Sequence, residues 1–235
     1  MENITVPNHI AVILDGNRRW ARARGLNPWD GHKKGIENFS NFLNWCLELG
    51  VKQVSAYVLS TENIKNRSKR EVVEILKLLR EYAKKWETEK TDLFDKYEVR
   101  VNFLGDFRRL PKDLVKILRK IMKKTEKYHK RFLNILIAYG GRYEITQAVK
   151  KIVRKAVETG RIKITEKTIQ DNLLVTSDVD LVIRTGGMPR ISNLLPWQCV
   201  YAELYITETL WPDFSKKELI KAIKWFNSIK RNFGK

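Results

Sequence analysis

Acidic residues are scarce in this chain, with 27 Asp and Glu against 46 Lys and Arg and a formal charge of +19 at neutral pH. Such a charge points to nucleic acid, to an anionic substrate or membrane, or to a Lys/Glu-rich thermophilic surface. The basic residues run along the whole chain without a low-complexity tail, an RNP-like aromatic motif or a zinc-finger spacing, so no nucleic-acid partner is expected. Cysteine is nearly missing. Cys46 and Cys199 lie far apart, and neither has metal-ligand spacing to another Cys or His, which excludes a disulfide framework and a structural zinc and leaves two buried thiols. No apolar run approaches the ~18 to 20 residues that cross a bilayer, and Met1 to Pro7 lacks the basic and apolar regions of a signal peptide. A cytoplasmic protein is therefore expected. No Pro/Gly/Ser-rich linker divides the 235 residues, and 43% are hydrophobic, so residues 1–235 are expected to form one large α/β domain with a substantial core.

What is present is an alternation of strand and helix signals. The apolar run Ile10 to Leu14 reads as a buried strand, followed by the turn Asp15-Gly16 and a short basic helix from Asn17-Arg18-Arg19-Trp20. Gly31 to Gly35 leads into an amphipathic helix over 36–48 that Gly50 ends. A second strand spans Val51 to Leu59, and the polar, basic stretch Ile64 to Arg70 reads as a mobile loop. Residues 71 to 94 give a long helix striped with Val72, Ile75, Leu76, Leu79, Tyr82, Ala83 and Trp86. That stripe suits a core, or an apolar channel between the sheet and two long helices. Further strands are expected over Val99 to Leu104, Leu133 to Ala138, Leu181 to Ile183 and about Tyr201 to Ile206, with helices over about 112–128, after Arg142, over 166–173 and at the C-terminal end. Successive strand-then-helix units imply a central parallel six-stranded sheet flanked by helices.

In open parallel sheets ligands bind beyond the carboxyl ends of strands. Three polar clusters follow such ends: Asp15 to Arg19, Ser60-Thr61-Glu62-Asn63, and Arg184 to Ser192 with Arg184, Arg190 and Ser192. Backbone N–H groups at a helix start and bidentate guanidiniums suit phosphate oxygens. Two arginine groups from separate loops suggest two anions bound close together, with Asp15 available for a metal between them. Taken alone, Asp15 also reads as an ordinary turn residue or cap, and His32 as a capping or surface histidine.

The motifs resemble those of cis-prenyltransferases of the undecaprenyl-diphosphate synthase type. The resemblance rests on His9 to Ala21, Gly31-His32, Ser60 to Asn63, Tyr139 to Arg142, Asp180 to Gly187, Arg190 to Asn193, Trp197-Gln198, Tyr201 to Tyr205 and Leu210 to Phe214. These blocks follow the family's order over nearly the whole chain. The resemblance implies a Mg²⁺-dependent homodimer that condenses isopentenyl diphosphate repeatedly onto an allylic diphosphate, farnesyl or geranylgeranyl, to give a long polyprenyl diphosphate, a precursor of glycosyl carrier lipids.

By the same resemblance, Asp15 holds the metal and assists departure of the allylic diphosphate, while Gly16, Asn17, Arg18, Arg19, Trp20 and His32 cradle that group. Ser60, Thr61, Glu62, Arg67, Arg184, Arg190, Ile191 and Ser192 are implied on the isopentenyl side, Asn63 in proton removal, and Glu203 as a metal-associated glutamate near the subunit interface. Mg²⁺ commonly takes one or two carboxylates plus substrate phosphates, so a lone Asp15 with Glu203 is sufficient. No Asp-Asp pair occurs in the chain, unlike the aspartate-rich trans-prenyltransferases. The chain departs from the family at Pro28, where many bacterial members carry arginine, at Ile64 in place of an aromatic, at Met188-Pro189, and around Asn66-Arg67, where the arginine is offset. The basic surface also suits peripheral contact with anionic lipid.

Overall fold

The run at 9–13 forms a central strand because both of its faces are apolar, as a parallel sheet covered on two sides requires. In a computed structural model that describes residues 5–88, 92–161 and 163–231, β1 (His9–Ile13) is buried at every position. Ile10 and Val12 pack with Phe42, Ile75 and Leu118 on one side, while Ala11 and Ile13 pack with Leu136, Val179 and Leu195 on the other. Around β1 stand β2 (Gln53–Ser60), β3 (Val99–Leu104), β4 (Arg131–Tyr139), β5 (Leu181–Thr185) and β6 (Glu203–Thr207), in the order β3-β4-β2-β1-β5-β6. Every pairing is parallel. This is the α/β architecture the sequence implies.

From β1 the chain moves toward β2, and from β5 it moves the opposite way toward β6. The crevice beyond the carboxyl ends of β1 and β5 is therefore the topological switch point.

Three helical segments differ from the sequence reading. The helix expected over 36–48 begins at Pro28: α1 (Asn17–Arg22) is followed directly by α2 (Pro28–Glu48), so Gly31 to Gly35 are helical. Pro28 suits the first helical position, where no N–H is required, and Asp30 accepts the Asn27 N–H at 3.0 Å. Gly31 and Gly35 belong there because α1 crosses closely. A Cβ on Gly31 would stand 2.0 Å from the Asn17 carbonyl oxygen, and one on Gly35 would stand 2.2 Å from Asn17 Oδ1.

The stretch Ile64 to Arg70 is not a loop. It ends α3 (Thr61–Asn66), turns at Arg67 and Ser68, and starts α4 (Lys69–Thr88). Two serine caps account for this: Ser60 Oγ accepts the Asn63 N–H at 2.9 Å, and Ser68 Oγ accepts the Glu71 N–H at 3.2 Å. The helix expected over 71 to 94 is α4 followed by α5 (Asp92–Lys96). Residues 89–91, within that expected helix, and residues 1–4, on which part of the leader argument falls, lie outside the described residues.

The remaining helices are α6 (Lys112–Thr125), α7 (Gly141–Thr159), α8 (Glu166–Gln170) and α9 (Lys216–Ser228). Strand β5 runs two residues past its expected end, carrying Arg184 into the sheet. Among the described residues no helix is long and apolar enough to cross a membrane.

Candidate active site

Asp15 lies just past β1, and Arg184 is the fourth residue of the neighbouring β5, paired in register with Ile13. Their side chains meet across the switch point, Arg184 Nη2 to Asp15 Oδ2, at 2.7 Å. Arg184 is buried, at 4% exposure. Its two Nη groups are answered by protein acceptors, while its buried Nε has no partner among the described residues. Nη1 donates to Ser192 Oγ at 2.7 Å and also to the Arg190 carbonyl. The loop supplying those acceptors is backbone-strained: Ser192, Asn193 and Leu195 hold φ of 50°, 66° and 41°. Non-glycine residues in this region cost on the order of 1 kcal/mol each and cluster at functional sites.

The Asp15 carbonyl is fixed by Thr185 Oγ1 at 2.7 Å and by the Trp211 N–H at 3.0 Å. Its carboxylate also faces Arg19 Nη2 at 3.5 Å, and Arg19 donates to the Gly186 carbonyl at 2.8 Å. Because α1 has only six residues, its aligned dipoles are few. The positive potential expected from a helix start comes instead from guanidiniums.

Two cavities open from Asp15. A cationic basin of about 330 Å³ is lined by Leu14, Asp15, Gly16, Asn17, Arg18, Arg19, Arg22, His32 and Arg67. A second cavity of about 250 Å³ shares Leu14, Asp15, Asn17, His32 and Arg67, adds Ser60, Asn63, Arg184 and Ser192, and continues between apolar side chains such as Phe39, Ile75, Leu79, Ala83, Trp86 and Ile137. The core reading of the α4 stripe holds. Ile75 and Ala83 are core, and with Leu79, Tyr82 and Trp86 they also line this cavity. A cationic mouth thus leads into an apolar recess.

His32, on α2, is 3.2 Å from Glu71 Oε1. Burial pushes its pKa down, the Arg67 charge adds to that, and Glu71 partly opposes it. Glu71 is the residue that sequence reasoning missed. Its position in the first turn of an amphipathic helix looks like ordinary surface charge, and only Arg67 four residues earlier hints at a role. The offset Arg67 nevertheless reaches both cavities. Where Pro28 replaces an arginine, Arg22 lines the basin; Arg24 does not, being held by Asp213 at 3.2 Å and lying over the Trp20 ring at 4.2 Å.

Several expected residues line neither cavity. Trp20 donates from Nε1 to Asp213 Oδ1 at 2.7 Å and faces the 211–213 turn. Thr61 donates to Glu62, and Glu62 accepts from Asn193 at 2.9 Å, tying α3 to the Ser192 loop. Ile191 is half-buried in that loop, and the Arg190 side chain is exposed. Glu203 is not near Asp15 within one subunit. It opens β6 in register with Leu181, which pairs with Ile10, and Arg231 Nε stands 3.6 Å from its Oε1. At a rise of ~3.3 Å per residue, that places it roughly 16 Å from the level of Asp15 along the strands.

Among the described residues no three His, Cys, Asp or Glu side chains converge as a metal cage. The donor set at Asp15 fits Mg²⁺ of the kind that takes a single protein carboxylate and completes its shell with phosphate oxygens and water.

Comparisons with known proteins identify the family and the fold. Residues 13–234 match the family model described as "Putative undecaprenyl diphosphate synthase". An isoprenyl transferase of Aquifex pyrophilus is 44% identical over 99% of this chain and 98% of the relative. A tritrans,polycis-undecaprenyl-diphosphate synthase (geranylgeranyl-diphosphate specific) of Pyrococcus furiosus is 41% identical over 98% of this chain and 88% of its own length. Among solved structures, lavandulyl diphosphate synthase of Lavandula x intermedia in complex with dimethylallyl diphosphate superposes with a TM-score of 0.88 at 31% identity, covering 98% and 99% of the two chains. A probable undecaprenyl diphosphate synthase of Campylobacter jejuni gives 0.81 at 32%, covering 98% and 100%. On that family match and those identities, the chain belongs to the undecaprenyl diphosphate synthase family of cis-prenyltransferases.

Proposed function

We propose that this prenyltransferase is a cis-polyprenyl diphosphate synthase that elongates an allylic diphosphate, geranylgeranyl or farnesyl, with successive isopentenyl diphosphates. The carrying observation is the junction of the two cavities at Asp15, because a cationic mouth on an apolar recess matches a ligand with a diphosphate head and a hydrocarbon tail. The geranylgeranyl primer is the one named for the Pyrococcus furiosus relative. The product is a long-chain polyprenyl diphosphate of the kind used to make glycosyl carrier lipids.

In this reading Gly16, Asn17, Arg18, Arg19 and His32 hold the allylic diphosphate, and Arg67, Arg184 and Ser192 hold isopentenyl diphosphate beside it, with Arg67, which lines both cavities, reaching the allylic group as well. Asp15 would hold Mg²⁺, whose charge supports the departing diphosphate. In each cycle a C–C bond forms between the two substrates, the allylic C–O bond breaks with its electron pair leaving on diphosphate, and the isopentenyl unit loses a proton. Asn63, at the mouth of the recess, positions the group that takes this proton. Holding both anions side by side against their mutual repulsion removes much of the entropic barrier.

Glu203 enters the metal site only from a partner subunit, and the working assembly is a homodimer. We further place the protein in the cytoplasm, with its basic surface in peripheral contact with anionic lipid; co-sedimentation with anionic but not neutral liposomes checks that contact. Incorporation of labelled isopentenyl diphosphate with farnesyl and geranylgeranyl primers and Mg²⁺ tests the activity. Chain growth is expected, and its absence with every allylic primer would overturn the reading.

A further inference from the structure

The cations of the basin already surround a carboxylate. Glu71 is buried, at 8% exposure. Its Oε1 lies 3.1 Å from Arg67 Nη1, 3.2 Å from His32 Nε2 and 3.8 Å from Arg18 Nε. All three of those residues line the basin. The backbone of Glu71 is anchored independently, through its N–H to Ser68 Oγ. Its carboxylate is therefore held where the diphosphate-binding groups are, and each donor directed to Glu71 is withheld from an incoming anion.

We propose that Glu71 is an internal counter-anion of the basin, competing with the substrate diphosphate for Arg18, His32 and Arg67 and so limiting how tightly that group is held. This rests on reading the basin as a diphosphate site. The need for such a device follows from repetition: an enzyme that elongates one chain many times must empty the leaving-diphosphate site in every cycle. A basin holding Arg18, Arg19, Arg22 and Arg67 against Asp15 alone would bind the released diphosphate strongly. A carboxylate a few ångströms from the bound anion opposes it through Coulomb repulsion, and it takes the donors back as the anion leaves.

The alternative is that Glu71 only positions Arg67 and His32. The two roles predict opposite signs in binding. Calorimetric titration of the full-length protein with inorganic pyrophosphate, at constant Mg²⁺, separates them. Glu71→Gln keeps the shape and removes the charge, and it is expected to bind pyrophosphate about tenfold more tightly than the wild type. Its kcat should fall at saturating substrates while KM for the allylic diphosphate does not rise. Glu71→Asp, with the carboxylate drawn back by one methylene, should tighten binding by a smaller factor and carries the test if the glutamine variant does not fold. Equal or weaker binding by the folded variants overturns the counter-anion role. Failure of the wild type to bind pyrophosphate would instead remove the diphosphate reading of the basin, and this inference with it.

Discussion

Among the described residues two glutamates are buried, and their surroundings differ in kind. Glu144, in the first turn of α7 and 1% exposed, is met by neutral donors: the Leu174 and Val175 N–H groups at 2.7 and 3.0 Å, Gln198 Nε2 at 3.2 Å, and the Tyr139 hydroxyl. Those donors join β4, α7 and the segments before β5 and β6. Glu71 is met by Arg67, His32 and Arg18. A carboxylate saturated by fixed neutral dipoles makes a joint that no other anion can enter. One gathered by side-chain cations that themselves line a cavity can be replaced by an anion from solution. The first arrangement holds the fold, and the second is suited to exchange.

The sharpest way to break that contrast is at Asp15, on the exchangeable side. Asp15→Ala is expected to reduce kcat/KM by at least ~10³, or about 4 kcal/mol of transition-state stabilisation, while far-UV circular dichroism stays that of the wild type. Asp15→Asn keeps an acceptor for Arg184 and should be nearly as inactive. Near-normal turnover in either would remove Asp15 from its proposed role. On the fixed side the expectation inverts. Glu144→Ala strands several buried donors and should cost about 3 kcal/mol of stability. At roughly 2–4 °C per kcal/mol for a chain of this size, Tm should drop by about 6–12 °C, with the folded fraction still active. A Tm within about 2 °C of the wild type would mean that the network is not a joint at all.

His9 sharpens the fixed side further. It is buried between Ser55 Oγ and the Asp178 carbonyl, each 2.8 Å from a ring nitrogen. Burial lowers its pKa to about 4, against a smaller upward pull from Asp178 and Asp180. Unfolded histidine takes its proton near 6.5. Between those values the unfolded chain binds more protons, so this contribution is complete above about pH 6.5 and is lost as the pH falls toward 4. The slope is at most about 1.4 kcal/mol per pH unit. Unfolding midpoints followed from pH 7 to 4.5 should fall less steeply in His9→Gln than in the wild type; parallel curves would show that His9 does not carry the slope.

The strands were legible as apolar runs and their parallel direction from the alternation of strand and helix, patterns that need no tertiary information. So were Asp15 and Arg184, since both follow apolar runs. The true start of α2 was hidden by Gly31 and Gly35, which signal a loop by composition but are required by the approach of α1. Caps concealed α3 in the same way, because Ser60 and Ser68 read equally well as loop residues. Glu71 could not be recognised: a glutamate on an amphipathic helix is exposed by default, and its burial depends on where Arg18 and His32 arrive from two distant places in the chain to join Arg67. Glu203 shows the converse limit. It sits on the correct strand but at its amino end, and strand direction has meaning for a site only once the register is known.

The smallest expected effect separates backbone strain from contact. Gly186 has φ of 80°, and a Cβ there would lie 2.2 Å from Arg19 Nη2. Gly160, at the end of α7, has φ of 63° with nothing within 4 Å. Alanine at either position pays about 1–2 kcal/mol for a left-handed conformation. Only at Gly186 does the new methyl displace a guanidinium, one that also stands 3.5 Å from Asp15. Gly160→Ala should lower Tm by a few degrees and leave kinetics unchanged. Gly186→Ala should lower Tm similarly and also raise KM for the allylic diphosphate severalfold, because Arg19 can no longer reach the Gly186 carbonyl at 2.8 Å. The KM difference between the two variants then measures what the position of Arg19 contributes to binding, free of the strain that both share. If the two variants have the same KM, Arg19 does not hold the diphosphate, and the cationic basin loses the residue that joins it to Asp15.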